Sequence, residues 1–310
     1  MIDNVEFIRL MFGNALTGAA PWVTAFASTP GDASRGEWCG WAVRRERDVP
    51  RLPTMNTYAT VSTFVAVDGR YRRRKAQFSA MHCCMVDDIG PKVAEAAIAL
   101  PFTVEVETSP GNRQGWYRID PPIGDRGLAE RLIERMIAAG LTADGKDPGM
   151  RGVTRYGRLP VGSNNKPGVI QSNGGPWRHF VTDYRPRLSY TLEEIAEAYT
   201  LDLTPPPPRV VTLRSAPSDE CASVLDWLQA AGLYQEPLSG GWHAITCPWA
   251  HEHTGGVVSG TGYSEPSADN AFVGGFKCHH GHCEHRTIAH LLRFIELLAR
   301  EVRKGKRLHA

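Results

Sequence analysis

Apolar positions change their period several times along the chain, and each change marks an element. In TYATVSTFVAV, residues 57–67, β-branched and aromatic side chains run together until Asp68-Gly69, after which RYRRRKAQF follows. Such side chains suit a pleated surface and Asp-Gly is a strong tight-turn signal, so this stretch predicts two strands joined at 68–69. QFSAMHCCMV is a further apolar run that stops at Asp87-Asp88. PKVAEAAIAL then predicts a helix with Pro91 near its first turn. FTVEVET and GWYRI read as strands flanking the turn SPGNRQ. Leu128, Leu132, Ile133, Met136 and Ile137 recur at helical spacing, and Gly140 can end that helix. The order β-α-β-β-α, followed by a long irregular segment, predicts an α+β fold with helices packed on a mixed or antiparallel sheet.

A boundary follows at TPPPPRV, residues 204–210, because four consecutive prolines cannot continue a helix and favour an extended spacer. Before it, Thr191 and Glu194 form a capping-box pattern opening TLEEIAEAYT; after it, SDECASVLDWLQAAGL reads as a helix ending near Gly232. The expected organisation is a large domain at 1–203, a Pro-rich linker at 204–218, and a smaller domain at 219–310.

Composition narrows the partners. The 35 Lys and Arg nearly balance the 33 Asp and Glu among 310 residues, so any nucleic-acid surface must arise from local charge. Arg70-Tyr-Arg-Arg-Arg-Lys75 is one such local patch, readable as a track for a DNA backbone or as an ordinary exposed strand. No apolar run reaches the roughly 20 residues of a membrane helix, and MIDNVEFIRLMF lacks a cleavable signal pattern. A soluble, cytoplasmic protein without a membrane partner is expected. Seven Cys without an export signal argue against a disulfide framework. Cys247, Cys278 and Cys283 instead lie in a stretch that, from His243 on, holds nine of the eleven His.

Three segments carry oxygen- and phosphate-directed chemistry. Asp87 and Asp88, at the end of a buried strand, suit a hard cation such as Mg²⁺ or Mn²⁺, although the same pair serves an ordinary turn or helix N-cap. Adjacent strand residues point to opposite faces, so both reach one ion only where the strand ends or bulges. The turn at Ser109-Pro110-Gly111-Asn112, with Gln114 on the outgoing strand, offers successive N–H groups to an anion or is simply a hairpin. In GKDPGMRGVTRYGRLPVGSNNKPG, Asp147 precedes Arg151, Arg155, Arg158 and Lys166, the mixture that a metal-bound triphosphate needs or, equally readable, a solvated basic loop.

In that order these motifs, spread over roughly residues 50–190, resemble the RepB-like primases of plasmids and phages, a branch of the archaeo-eukaryotic primase superfamily. The resemblance implies a primase-like α+β catalytic domain and metal-binding acids at Asp87, Asp88 and Asp147, with Asp144 a rival for the third. It further implies nucleotide binding by Ser109, Gln114, Arg158 and Lys166. Many superfamily members space the first acids by one residue and carry His where this chain has Gln114. The implied activity is DNA-templated nucleotidyl transfer with two Mg²⁺ or Mn²⁺ ions, making or extending primers for a phage or plasmid replicon. Its partners would be a single-stranded DNA template, nucleoside triphosphates and a replicative helicase, either a separate protein or a continuation of the same chain, since no G-x-x-x-x-G-K-[ST] loop occurs in these 310 residues.

Near the end, Cys247-Pro-Trp-Ala-His251-Glu-His253 and Cys278-His-His280-Gly-His-Cys283 are paired knuckles of the kind that close a tetrahedral zinc site. They sit beside strand-like GWHAIT and AFVGGFK and the helix TIAHLLRFIELLAR, and resemble the zinc-ribbon modules of primases. The chosen ligands are Cys247, His253, Cys278 and Cys283, with His251 an alternative to His253 and His280 to one of the cysteines. Trp249, Lys277 and Arg286 nearby could touch single-stranded template. The competing functions are a catalytically silent zinc-containing single-strand-binding module and, less favoured because the site leaves no open position, a zinc hydrolase.

Overall fold

The computed structural model describes residues 2–15, 17–142, 152–204, 210–211, 223–253, 258–270, 272–303 and 308–309. Two compact units partition the chain, Met1–Leu203 and Thr204–Ala310.

In the first unit α1 (Asn4–Phe12), β1 (Ala19–Phe26), α2 (Arg35–Cys39) and β2 (Trp41–Ala42) precede β3 (Asn56–Val65) and β4 (Phe78–Ile89). The hairpin β5 (Val104–Ser109) and β6 (Asn112–Ile123) leads into α3 (Arg126–Ala138). Then come β7 (Tyr156–Arg158), β8 (Ser163–Asn164), α4 (Pro167–Asn173), β9 (Trp177–Arg178), β10 (Phe180–Tyr184) and α5 (Leu192–Ala198). One eight-stranded sheet runs β10-β5-β6-β4-β3-β1-β2, with β7 also on β3, and its pairings are antiparallel. This is the expected α+β architecture.

The unbroken apolar run in β4 has a direct cause. Ala80 through Val86 are all buried, so neither face of the strand meets water and no alternation is needed. Met81, Met85, Trp116, Leu132, Ile133 and Phe7 contribute to the same core.

The sheet forks along β3, between β7 and the strand that ends in the acids. The far half of β3, Ser62–Phe64, pairs with β4, whereas Tyr58–Thr60 pair with β7. β7 can enter because its middle residue is Gly157: a Cβ there would lie 2.4 Å from both Met85 Sδ and a Trp116 ring carbon.

Two sequence expectations are corrected. Residues 71–77 are not a strand; β4 pairs with β3 directly, after a turn in which Asp68 and Gly69 both have positive φ. The charged run has no apolar alternation to bury, and two of its members turn to private partners: Arg73 lies over the Tyr156 ring and Lys75 pairs with Glu130. PKVAEAAIAL is no α-helix either, only a short 3₁₀ turn at Glu95–Ala97. Within residues 91–97 only Val93 is buried, so a helix would cover little apolar surface, and Pro101 biases Leu100 toward extended backbone. The helices expected around 126–140 and 191–200 are present, the latter with the Thr191–Glu194 capping box.

The second unit contains β11 (Val210–Val211), α6 (Val224–Ala230), β12 (Tyr234–Pro237), β13 (Trp242–Ile245), β14 (Thr261–Ser264), β15 (Gly275–Cys278), α7 (Ile288–Arg303) and β16 (Leu308–His309). An antiparallel sheet β12-β13-β14-β15 shares a small core with both helices through Leu228, Ile245, Tyr263, Phe276, Leu291 and Leu298. Most of the expected linker, and the start of the helix expected after it, lie outside the described residues.

A tight backbone approach joins the ends of β4 and the β5–β6 hairpin. Gly90 has φ +105°, and a Cβ there would sit 2.4 Å from the Gly111 carbonyl oxygen. Gly69, at φ +69°, has open space around it. In urea titrations, Gly90→Ala is expected to destabilise the first unit by about 2 kcal/mol or more, and Gly69→Ala by about 1 kcal/mol. Equal effects would show that the approach is not constrained.

Candidate active site and metal cluster

The β4 strand ends in a bulge. Val86 faces Gly115 and Ile89 faces Arg113, so three steps along β4 match two along β6, and Asp88 takes φ +56°. This irregularity turns the adjacent Asp87 and Asp88 toward one space, and both line a cavity of about 530 Å³. Gln114, Arg158 and Lys166 line it too. Ser109 does not; its neighbour Thr108 takes that place at the end of β5. Asp144, Asp147 and Arg151 lie outside the described residues.

The two acids differ in environment. Burial, then the like charge of Asp88, raises the pKa of Asp87, only partly offset by Arg155, the Asp88 N–H and Lys166. Burial alone would raise Asp88 as well. There the hydrogen bonds from Lys92 Nζ at 2.8 Å and Asn112 Nδ2 at 2.9 Å, with the charges of Lys92 and Lys166, prevail and lower it. Arg155 is fully buried; its Nη2 donates to Thr142 Oγ1 at 3.3 Å, and its Nε has no acceptor among the described residues.

Arg158 is buried within a polar cage. Nη1 donates to Asn56 Oδ1 at 3.2 Å, to the Ser163 carbonyl at 3.1 Å and to His179 Nε2 at 3.3 Å, while Nη2 donates to Asn164 Oδ1 at 3.0 Å. The His179 tautomer follows: Nδ1–H donates to the Leu159 carbonyl at 2.9 Å, leaving Nε2 to accept. Burial, then the Arg158 charge, pushes the His179 pKa down to about 3, so the ring is neutral. Gln114 is occupied at both ends of its amide, Oε1 accepting the Arg158 backbone N–H at 2.9 Å and Nε2 reaching Met85 Sδ at 3.3 Å. It positions β7 and has little left for a ligand. Asn56, Asn112, Asn164 and His179 were missed from sequence. Asn112 stood in the SPGN turn and Asn164 in the GSNNK stretch, both already singled out, whereas nothing local marks Asn56 or His179.

In the second unit Cys247, His253, Cys278 and Cys283 are all buried, and their ligand atoms lie within 4.8 Å of one another. Cys247 Sγ is 3.7 Å from Cys283 Sγ, and His253 Nε2 is 3.3 Å from Cys283 Sγ and 3.5 Å from Cys278 Sγ. A tetrahedral ion with Zn–S of about 2.3 Å separates sulfurs by about 3.8 Å, so the donor set fits zinc. His251 lies outside this group, beside Glu252. His280 stacks on His253 at 3.9 Å, with Nδ1 3.3 Å from Cys278 Sγ. Arg286 pairs with both Glu252 oxygens and covers the Trp249 ring at 4.0 Å, so its charge is already engaged; Lys277 is exposed.

Residues 55–204 match the RepB DNA-primase N-terminal domain family. Among solved structures, the chain is similar to the AEP domain of the cyanophage S-2L primase-polymerase (PrimPol), at 15% identity over 64% of this chain and 96% of that one, TM-score 0.42. Primase RepB′ follows at 15% identity over 64% and 62%, TM-score 0.37. Its catalytic domain in complex with initiator DNA gives 14% over 64% and 95%, TM-score 0.36. No curated protein matches the chain.

A carboxyl whose pKa is raised on folding favours the folded state only while protonated. Ionising Asp87 therefore weakens the first unit as pH rises from the ordinary Asp value through the raised one. In chelator-treated protein, Asp87→Asn is expected to raise the melting temperature at pH 7, with the gain vanishing below about pH 3.5, where Asp is largely protonated in both states. A melting temperature unchanged at pH 7 would contradict the burial argument.

Proposed function

We propose that the first unit is a DNA-templated primase-polymerase acting on nucleoside triphosphates. The observation that carries this reading is the β4 bulge, which sets Asp87 and Asp88 side by side in the cavity that also holds Lys166, within a RepB-type primase domain. The donor set suits Mg²⁺ or Mn²⁺: two carboxylates, one of them disfavoured as an anion by burial and its neighbour, would be relieved by a divalent cation. Each Asp88 oxygen accepts one hydrogen bond and keeps a further lone pair. Asp87 and Asp88, together with Asp147, would hold the ions. When bound, the ions would lower the pKa of the attacking 3′-hydroxyl and stabilise the leaving pyrophosphate.

The remaining work falls to the chain's own groups. Lys166 presents a mobile point charge to the triphosphate. Arg158 is held by its cage, so its field acts at the cavity without reorganisation as negative charge builds up. Gln114 fixes β7, Asn112 ties the hairpin to Asp88, and the Thr108 carbonyl accepts from Asn164 and ties the hairpin to β8. We assign Cys247, His253, Cys278 and Cys283 to a structural zinc ion, whose closed donor set leaves no position for hydrolytic chemistry. The template would be single-stranded DNA of a phage or plasmid replicon, in the cytoplasm of the host cell.

Purified protein with unprimed single-stranded DNA, labelled nucleotides and Mn²⁺ is expected to give short products. Asp87→Ala/Asp88→Ala should lower incorporation about a thousandfold or more, the several kcal/mol of charge stabilisation that metals supply. Full incorporation by that variant would refute the assignment. No products from either protein, with single-strand binding intact in both, would favour the silent binding module.

The zinc assignment predicts stoichiometric zinc by elemental analysis, falling well below half in Cys283→Ser. A strong zinc chelator should abolish the unfolding transition of the second unit while sparing the first. A wild-type protein with no bound zinc would overturn it.

A further inference from the structure

The cavity that holds the acids has an aromatic part in which Tyr58 and Tyr156 each carry an arginine, Arg158 and Arg73, on a ring face, while the metal-and-phosphate reading gives Trp38 no role. Trp38 of α2, Tyr58 of β3 and Tyr156 of β7 line it beside Arg73. Ring centroids lie 5.1 Å apart for Trp38 and Tyr58, 6.0 Å for Trp38 and Tyr156, and 6.1 Å for the two tyrosines. An aromatic cluster is most often plain core, and Tyr58 is indeed buried. Trp38 and Tyr156 are only half-buried, however, and the Trp38 indole N–H has no acceptor among the described residues. The indoles of Trp22 and Trp41 do, donating to the Cys39 and Asp48 carbonyls.

The short helix that carries Trp38 is fastened from several sides. Ser34 and Glu37 cap it reciprocally, Ser28 donates to Glu37 Oε1 at 2.6 Å, and Thr24 Oγ1 donates to the Glu37 carbonyl at 2.5 Å. The Tyr156 hydroxyl reaches the Trp38 carbonyl at 3.4 Å. A half-exposed indole held this firmly is preorganised, so little ordering cost remains when a flat ligand meets it.

We propose that the Trp38–Tyr58–Tyr156 wall is the subsite for the nucleobase of an incoming nucleoside triphosphate, whose phosphates lie toward Asp87 and Lys166. The proposal rests on the triphosphate reading above. The cavity's 530 Å³ lies within the 300–1,000 Å³ usual for small-molecule sites. Stacking on an aromatic side chain strengthens binding by roughly 5- to 150-fold per base and tolerates every base, because each has a π-face.

The test compares nucleoside triphosphates with inorganic tripolyphosphate, binding to the full chain with Mg²⁺ and no DNA. Wild type is expected to prefer the nucleotides by about tenfold, all four bases alike. Trp38→Leu, which keeps apolar volume without a π-face, should lose that preference while tripolyphosphate binding holds. Trp38→Phe should restore most of it. A Trp38→Leu protein that keeps the wild-type preference, or weakens equally toward both ligands, overturns the subsite. A loss confined to single-stranded DNA binding would move the wall to the template strand and overturn it also. Wild type that binds neither ligand would bring down the triphosphate reading itself, and the subsite with it.

Discussion

A guanidinium group is costly to take out of water unless its N–H groups find acceptors, and for Arg158 the requirement is met by residues from three separate stretches of chain. Asn56 comes from β3, Ser163 and Asn164 from β8, and His179 from the loop before β10, and all of them converge on Arg158. Tyr58 contributes its ring face at 4.8 Å. The cage then reaches outward, because Asn164 Nδ2 donates to the Thr108 carbonyl and so ties β8 to the hairpin that flanks the acids. Removing one acceptor would leave a buried charge partly unpaired, which is why the fork between β3 and β4 keeps its shape.

The same fork settles the electrostatics. Antiparallel pairing continued along the whole of β3 and β4 would have left no cleft; β7 occupies part of β3, and β4 goes on alone against β6 until it bulges. The bulge gathers two like charges, an arrangement that is unfavourable by itself. Arg155 beneath Asp87, Lys92 on Asp88, and Lys166 near both supply the opposing charge. The acids are thus held unequally, one relieved by local partners and one left under strain that a cation would remove.

Local pattern made a good part of this legible. The apolar runs marked β3 and β4, and the capping box marked α5 to the residue, because burial and end-capping are written in neighbouring positions. Asp87, Asp88, Gln114, Arg158 and Lys166 were found as motif residues, and all of them line one cavity. What could not be read is long-range. Gln114 looked like a ligand group and is a strut, since its partner is a backbone N–H 44 positions away. Asn56 stood in a run of strand residues with nothing to mark its partner more than 100 positions on. The basic run at 70–75 looked uniform, yet Arg73 and Lys75 are drawn off by a ring and a carboxylate that only tertiary structure brings near.

The second unit answers a different physical problem. Its apolar core is small, and three thiols and an imidazole occupy part of it. Burial first, with the neighbouring thiols adding to it, raises the Cys247 pKa and pushes that of Cys283 to about 11. Without a cation the Cys247 and Cys283 thiols stay neutral and contribute only as modest apolar side chains, in a cluster whose sulfur–sulfur and sulfur–nitrogen spacings run from 3.3 to 3.7 Å. With a zinc ion the same proximity becomes favourable, because thiolates are its preferred partners and the ion cancels the repulsion that burial would amplify. Thr261 already donates its hydroxyl to Cys278 Sγ at 3.2 Å, an outer contact that suits a thiolate better than a thiol. A unit with so little apolar material would therefore draw much of its stability from a bound ion, whereas the first unit is stabilised by its sheet and core and can hold two carboxylates together at some cost in stability.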